Sequence, residues 1–477
     1  METLKEKTAR GLFWGGMNNL VMQLIGAIFG FAMARLLDNA DYGMMAGIVV
    51  FTTIATELKD SGFKTALTNE SHPEDRDYNA VFWFNLLMGI GLYVILFFLA
   101  PLLGDYYKNE AVVPLARYAF LGVVITAFST SQSAWLFKNL RTKQLAKASM
   151  TATLLSCVIG ITMALLHCNY WSLVTQNLAY VFFNTLLLWH YSPWRPSMSW
   201  DFEPVRRMFG FSWKVMATTI ATQINNNVIN VLSMRHFGKI NAGNYYQANQ
   251  WDSKVYSLVQ GMVSMVAQPV LVDLREDSGR QLAALRKLMR FTAFIAFPLL
   301  LGLRLVGYEF IVLTIGEKWQ PCVSILQILC LSGCVMPLCT LLSNMVLSKG
   351  RSDLYLWATL GLCLSQIGLM TVLWPHGLMV MAEAYVVLSV VWLFVWYCLV
   401  SRLTSYRLLD FLKDTVPFAL AAFGVMMLTG WMTRPVTALW LLLPVRVIVA
   451  AVLYYVVMRL AGAKILEECQ SYLKKKK

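Results

Sequence analysis

The sequence predicts an all-α polytopic membrane protein, with about 14 transmembrane helices arranged as two parallel-repeat six-helix lobes plus two extra C-terminal helices. Three observations predict it. Hydrophobic residues make up 58% of the 477 positions and charged residues only 14%, against about a quarter charged in soluble domains, and mean hydropathy is +0.56. Apolar runs of about 20 residues, enough to cross a ~30 Å hydrocarbon core as helix, recur along the whole chain. The first and seventh runs also share polar and glycine positions at a fixed offset.

In order, the runs are 12–34, 43–58, 79–101, 112–135, 148–168, 171–191, 210–232, 250–271, 290–315, 321–347, 354–374, 377–400, 414–432 and 436–460. The second is short and continues into an amphipathic turn from Thr56 to Leu67. Residues Met1 to Arg10, with Lys5, Lys7 and Arg10, lead into the first run without a small-residue cleavage site, so that run is expected to be a retained span and not a signal peptide. The lobes are expected at 1–200 and 201–405, with 406–477 holding the two extra spans and a basic tail.

Lysine and arginine number 40 against 26 acidic residues, a net charge of +14. Nucleic-acid binding needs such charge gathered on one face or tract, whereas here it sits in short clusters between apolar runs, so no nucleic-acid partner is expected. With the N-terminus placed inside, 29 of the 40 basic residues fall on its side of the membrane and ten on the other, with Lys214 inside a span. Cytoplasmic loops retain positive charge during insertion. Both termini are therefore expected in the cytoplasm.

The loops exclude most catalysis. External segments are short, the longest being the piece around Arg235 to Gln250. A DxD at Asp75 and Asp77 has no strands around it and reads as a solvated turn. The five histidines (His72, His167, His190, His236, His376) show no metal-ligand spacing, and no phosphate-binding GxxxxGK[ST] occurs. The nine cysteines lie almost all inside spans, where small sulfur side chains pack; no metal, redox group or other cofactor is expected. An enzyme is not expected. What remains is transport.

The repeat lies at an offset of 200: Gln23 matches Gln223, Arg35 matches Arg235 and Gly43 matches Gly243, while Trp14 and Gly11 match Trp213 and Gly210 after a one-residue slip. Six spans separate the copies, an even number, so both halves enter from the same side and the repeat is parallel. A cavity between such lobes would be lined by whatever polar residues the spans carry, since polar groups facing lipid are costly. Span seven supplies Thr219, Gln223, Asn226 and Asn230 on one helical face, flanked by Asn225 and Asn227. Span one repeats this more weakly with Asn19 and Gln23 above Gly26 and Gly30, small residues that suit close helix approach. The amides suit either a cavity wall or hydrogen bonding between helices, and both readings stay open.

Ionisable side chains at membrane depth cost roughly 2.5–3.5 kcal/mol each at a helix centre, so those retained there call for a use. They are Glu57, Lys59 and Asp60 in span two, Lys214 in seven, Asp252 and Lys254 in eight, Arg304 and Glu309 in nine, Glu383 in twelve and Arg446 in fourteen. Lys214, Glu383 and Arg446 lie near span ends and can snorkel to the interface. Arg35, Arg235, Lys254 and Arg304 fall toward the outer half, and Glu57, Lys59 and Lys214 toward the inner half. Cations at both ends of a path suit an anionic substrate such as a phosphate.

Three motifs carry a family resemblance. The first runs Ala34-Arg35-Leu36-Leu37-Asp38-Asn39-Ala40-Asp41-Tyr42-Gly43, followed by Leu58-Lys59-Asp60-Ser61-Gly62-Phe63 and Thr65-Ala66-Leu67. The second is Phe237-Gly238 with Gly243-Asn244-Tyr245-Tyr246-Gln247-Ala248, and the third Ile315-Gly316-Glu317-Lys318-Trp319 with Ile325-Leu326-Gln327-Ile328-Leu329. Together they resemble the Wzx-type polysaccharide and lipopolysaccharide exporters of the multidrug/oligosaccharidyl-lipid/polysaccharide exporter superfamily, nearest to the colanic-acid exporter branch. Where that family often has Gly-Pro, this chain has Asp38-Asn39-Ala40.

The resemblance implies an alternating-access flippase in a bacterial inner membrane, turning an undecaprenyl-diphosphate-linked oligosaccharide from the inner to the outer leaflet. Under it, the diphosphate and sugars would meet Arg35, Arg235, Lys254, Arg304, Lys214, Gln23, Gln223, Asn226 and Asn230, with membrane lipids around the carrier tail. Glu57, Asp252 and Glu309 are the candidates for proton or sodium coupling. Two rivals remain. A multidrug cation antiporter of the same superfamily would favour buried carboxylates in the lobes, and the first lobe's deep spans hold few. A membrane-embedded glycosyltransferase or polymerase would need a large external loop or an acid-base set.

Overall fold

The computed structural model describes residues 21–60, 62–70 and 73–462. Every regular element among them is a helix. They are α1 (Val21–Leu36), α2 (Asn39–Asp60), α3 (Phe63–Asn69), α4 (Asp75–Tyr107), α5 (Val112–Ala127), α6 (Thr130–Lys138), α7 (Thr142–Leu165), α8 (Tyr170–Tyr191) and α9 (Glu203–Asp273). After these come α10 (Ser278–Ile315), α11 (Gln320–Ser348), α12 (Ser352–Leu373), α13 (Leu378–Leu403), α14 (Leu408–Met432) and α15 (Leu439–Leu460). Over its described residues, each expected span is helical apart from residues at its ends or at a bend, with span four divided between α5 and α6 and spans seven and eight both on α9. By length and apolar composition alone, nine helices among the described residues can cross a membrane, or ten if α5 and α6 count as one bent span. The start of the first expected span, with Gly11, Trp14 and Asn19, and the basic tail lie outside the described residues.

Three departures from the expected layout have local causes. Span two begins earlier than its apolar run because Asp41, in the first turn of α2, accepts the Asp38 backbone N–H at 3.0 Å and holds the helix start open to polar residues. Span four is not straight: α5 and α6 meet at a 43° bend. The segment around Arg235 to Gln250, expected as an external loop, is helical apart from Gly238, whose φ of 78° and ψ of 171° break α9 in two. Only glycine takes that backbone conformation at little cost. The polar residues there favour a loop, but Tyr245, Ala248 and Asp252, three and four apart on one helical face, are all buried.

The expected turn at Asp75–Asp77 is instead a helix start. Glu74 and Asp77 form a reciprocal capping box at the head of α4, with the Glu74 N–H donating to Asp77 Oδ2 at 2.9 Å. Asp77 also pairs with Arg207 at 2.9 Å.

The chain divides into two compact units, Met1–Gly243 and Asn244–Lys477. In the first, Phe63, Leu67, Tyr78, Phe82 and Trp194 form a buried cluster that packs α3 and α4 together with the head of α9. In the second, Ala293, Ala296 and Leu300 of α10 are wholly buried among side chains of α11, α14 and α15. Small residues at such contacts let helices approach in a medium where apolar burial alone supplies no drive. Two carboxylates fasten the last helices to α10. Asp414 of α14 takes Arg286 at 2.9 Å, Arg290 at 3.4 Å and the Tyr406 hydroxyl at 3.0 Å, and Arg446 of α15 reaches Glu309 of α10 at 2.6 Å.

Candidate substrate and ion sites

In the first unit the two repeat glycines meet. A Cβ on Gly43 would fall on the backbone carbonyl of Lys239, and a Cβ on Gly243 would fall on the backbone carbonyl of Asn39. The contact is reciprocal at the repeat offset: 39 corresponds to 239 as 43 does to 243. The head of α2 therefore crosses the second segment of α9 backbone to backbone, around a local pseudo-two-fold relation. The corresponding close approach expected at Gly26 is missing, since nothing described lies within 4 Å of where its Cβ would stand.

The far end of α2 carries a charged cluster. Lys59 is 1% exposed; its Nζ lies 2.7 Å from Asp60 and donates to Thr130 Oγ1 at 3.2 Å, while that hydroxyl donates to Asp60 Oδ1 at 2.9 Å. Thr130 is the first residue of α6, so the bend after α5 is what brings its hydroxyl to the ion pair. Glu57, one turn back along α2, is hydrogen-bonded to the Gln223 side chain. A carboxylate expected to couple ions and an amide expected to bind substrate are thus brought together.

The amide stripe on α9 is rearranged by one position. Asn230 Nδ2 donates to Asn227 Oδ1 at 3.2 Å, and Asn227 Nδ2 donates to the Gln223 carbonyl at 2.9 Å. The ladder therefore runs through Asn227, which the helical spacing had placed at the margin, and Asn226 stands exposed beside it. Asn230 is buried, and its Oδ1 has no hydrogen-bond partner among the described residues. Thr219 turns back to the Val215 carbonyl at 2.9 Å.

The expected cations of the first unit are dispersed. Arg35 and Lys214 are exposed, and Gln23 is half-buried on α1. Arg235 is committed: its guanidinium donates to the Tyr106 carbonyl near the end of α4 and lies over the Tyr106 ring at 5.0 Å. That position satisfies a carbonyl the helix end leaves open.

In the second unit Asp252 is 2% exposed and its Oδ1 has no hydrogen-bond partner among the described residues. It faces Gly333 of α11, where a Cβ would stand 2.5 Å from that oxygen. Tyr245, Tyr256 and Tyr385 lie near it. Lys254, two residues on, donates to Gln250 at 3.4 Å and lies 5.3 Å from the Trp251 ring. Arg304 lies near Cys330 and Cys334 on α11. Glu309 is buried and occupied by Arg446, which also donates to the Leu305 carbonyl and to Thr433 Oγ1, both at 3.2 Å.

Residues 32–324 match the family described as Polysaccharide biosynthesis protein. The chain belongs to that family. It is 25% identical over 358 residues to the lipopolysaccharide biosynthesis protein WzxC of Escherichia coli (strain K12), covering 74% of this chain and 72% of that one. It is 25% identical over 394 residues to the succinoglycan biosynthesis transport protein ExoT of Rhizobium meliloti (strain 1021), covering 81% and 76%. Among solved structures, the lipid II flippase MurJ in an inward closed conformation aligns over 95% of this chain and 98% of its own with a TM-score of 0.67 at 14% identity. An inward-facing multidrug resistance MATE transporter of the MOP superfamily aligns over 80% and 96% with a TM-score of 0.63 at 15% identity. These two likenesses show the fold.

For this member of the polysaccharide biosynthesis family, the motifs that carried the resemblance have structural work. Asp41 accepts backbone N–H groups from both Asp38 and Tyr170, tying the head of α2 to the head of α8. Gly43 and Gly243 make the reciprocal crossing, and Trp319 is wholly buried. Spacing along the chain did not reveal the partners Thr130 and Arg446. Thr130 lies 71 positions from Lys59, and Arg446 looked like an interfacial cation because it stands near a span end.

Proposed function

We propose that this chain is an alternating-access flippase that moves a lipid-diphosphate-linked oligosaccharide from the inner to the outer leaflet for surface polysaccharide or lipopolysaccharide assembly. The observation that carries the reading is the family match across residues 32–324. The names of its relatives support it: one is a lipopolysaccharide biosynthesis protein and another a succinoglycan biosynthesis transport protein. The likeness in fold to a protein named as a lipid II flippase points the same way. The finer parts of the reading are fourteen spans in two six-helix lobes at 1–200 and 201–405, two extra spans at 406–477, both termini in the cytoplasm, a bacterial inner membrane and an undecaprenyl carrier.

Exposed Arg35 and Lys214 supply cations for the diphosphate, and the Gln223–Asn227–Asn230 ladder supplies amides for sugar hydroxyls. Arg35→Ala is expected to lower surface polysaccharide by about tenfold, the size of one lost charged hydrogen bond, at unchanged membrane abundance. Export at the parental level would remove Arg35 from the diphosphate site. Arg235→Ala serves as a contrast, because it also loses its place on Tyr106 and is expected to lower abundance as well as export.

Ion coupling is assigned to Asp252 ahead of Glu309, since Arg446 already occupies Glu309. Asp252→Asn is expected to leave the protein in the membrane and abolish the response of flipping to an imposed proton or sodium gradient in vesicles. Unchanged gradient dependence would exclude Asp252 from coupling.

A further inference from the structure

A cavity of about 740 Å³ lies in the first unit along α4 and the head of α9, apart from the residues assigned above. We propose that it is a binding groove for one acyl chain of an anionic glycerophospholipid, whose headgroup phosphate pairs with Arg206. The α4 wall is a single helical stripe from Phe84 through Gly91 to Ile95; Phe209 and Gly210 line the α9 side, and Arg206 is the one charged residue in the lining. Its volume falls in the ~300–1,000 Å³ range of built ligand sites.

The groove exists because side chains are missing from it. A Cβ on Gly91 or on Gly210 would meet nothing within 4 Å, so each glycine opens onto space and neither serves a tight helix contact. The eleven helical steps from Phe84 to Ile95 rise about 16 Å, close to half of a ~30 Å hydrocarbon core. That length suits a chain confined to one leaflet. A polyprenyl carrier long enough to cross both leaflets would overrun it.

The charge at the mouth selects the headgroup. Arg76 is taken by Asp201 and by Glu203 at 2.6 Å, and Arg207 by Asp77 at 2.9 Å. Arg206 sits between these pairs, exposed, with no side-chain hydrogen bond or ion pair among the described residues. The Arg207–Asp77 pair places it level with the first turn of α4. Nearby, Trp83 and Trp200 stack with centroids 4.6 Å apart, and Trp83 Nε1 donates to the Ser197 carbonyl at 2.8 Å. Tryptophan gathers where headgroups meet hydrocarbon, which puts Arg206 at the depth of a headgroup phosphate.

The test is native mass spectrometry of the full-length protein with phosphatidylglycerol and phosphatidylcholine of identical acyl chains. The parent protein is expected to retain phosphatidylglycerol about fivefold over phosphatidylcholine, the preference one interfacial arginine supplies, and Arg206→Gln to retain both equally. Gly91→Leu and Gly210→Leu extend into the groove from a Cβ that meets no neighbour and are expected to reduce retention of both lipids severalfold. Gly424→Leu, at another position where a Cβ meets nothing, is expected to leave retention unchanged. A preference that survives Arg206→Gln overturns the proposal, as does parental retention in both filled variants. Displacement of phosphatidylglycerol by equimolar undecaprenyl phosphate would also overturn it and assign the groove to the carrier lipid.

Discussion

Glu309→Leu is expected to destabilise the protein by about 3–5 kcal/mol, the usual cost of breaking a buried ion pair from one side. The change leaves the Arg446 guanidinium, only 18% exposed, beside α10 with a backbone carbonyl and a threonine hydroxyl but no counter-charge. Arg446→Leu is expected to cost as much for the opposite reason, because Glu309 is 3% exposed and its second oxygen already has no hydrogen-bond partner among the described residues. The double variant Glu309→Leu/Arg446→Leu removes both charges and is expected to regain most of the loss, since apolar replacements of a whole buried pair are often neutral or better. Thermal unfolding in detergent, read as a double-mutant cycle, measures the coupling. Additive losses would mean that the two side chains do not depend on each other. If the double variant folds but no longer exports, the pair has a use in transport beyond fastening α15 to α10.

This pair also marks where the sequence stops being legible. The sequence marks both residues as charges at membrane depth and gives each a single role, Glu309 as an ion site and Arg446 as an interfacial cation. Their partnership spans 137 positions and leaves no trace in local spacing. The same limit applies to Lys59 and Asp60, whose shared partner Thr130 lies on another helix beyond a bend. The helices themselves were readable, because span length and apolar composition are set by the bilayer and not by neighbours. The largest departure, the loop expected near Arg235 to Gln250, arises because that segment carries many polar side chains while its buried face repeats at helical spacing. The amide stripe was found on the right helix but shifted by one residue, because the ladder follows Asn227 hydrogen bonding and not the apolar periodicity.

The offset of 200 yields the second large effect. Gly43→Ala places a methyl on the Lys239 carbonyl, and Gly243→Ala places one on the Asn39 carbonyl. In each case the obstacle is backbone, which cannot rotate away as a side chain can, so α2 and α9 must separate. Overpacking of this kind costs typically 1–3 kcal/mol and sometimes more. Each single variant is expected to lose that much stability in detergent, a tenfold fall in the folded-to-unfolded ratio for each ~1.4 kcal/mol, and to export less. Gly261→Ala, on α9 where a Cβ meets nothing, is the matched control and is expected to be neutral or mildly stabilising. The decisive measurement is the double variant Gly43→Ala/Gly243→Ala. Because the two methyl groups demand the same separation of the same crossing, the second is expected to cost much less than the first. Losses that simply add would mean that the two glycines act independently, and the reciprocal contact would then carry no pseudo-symmetric meaning.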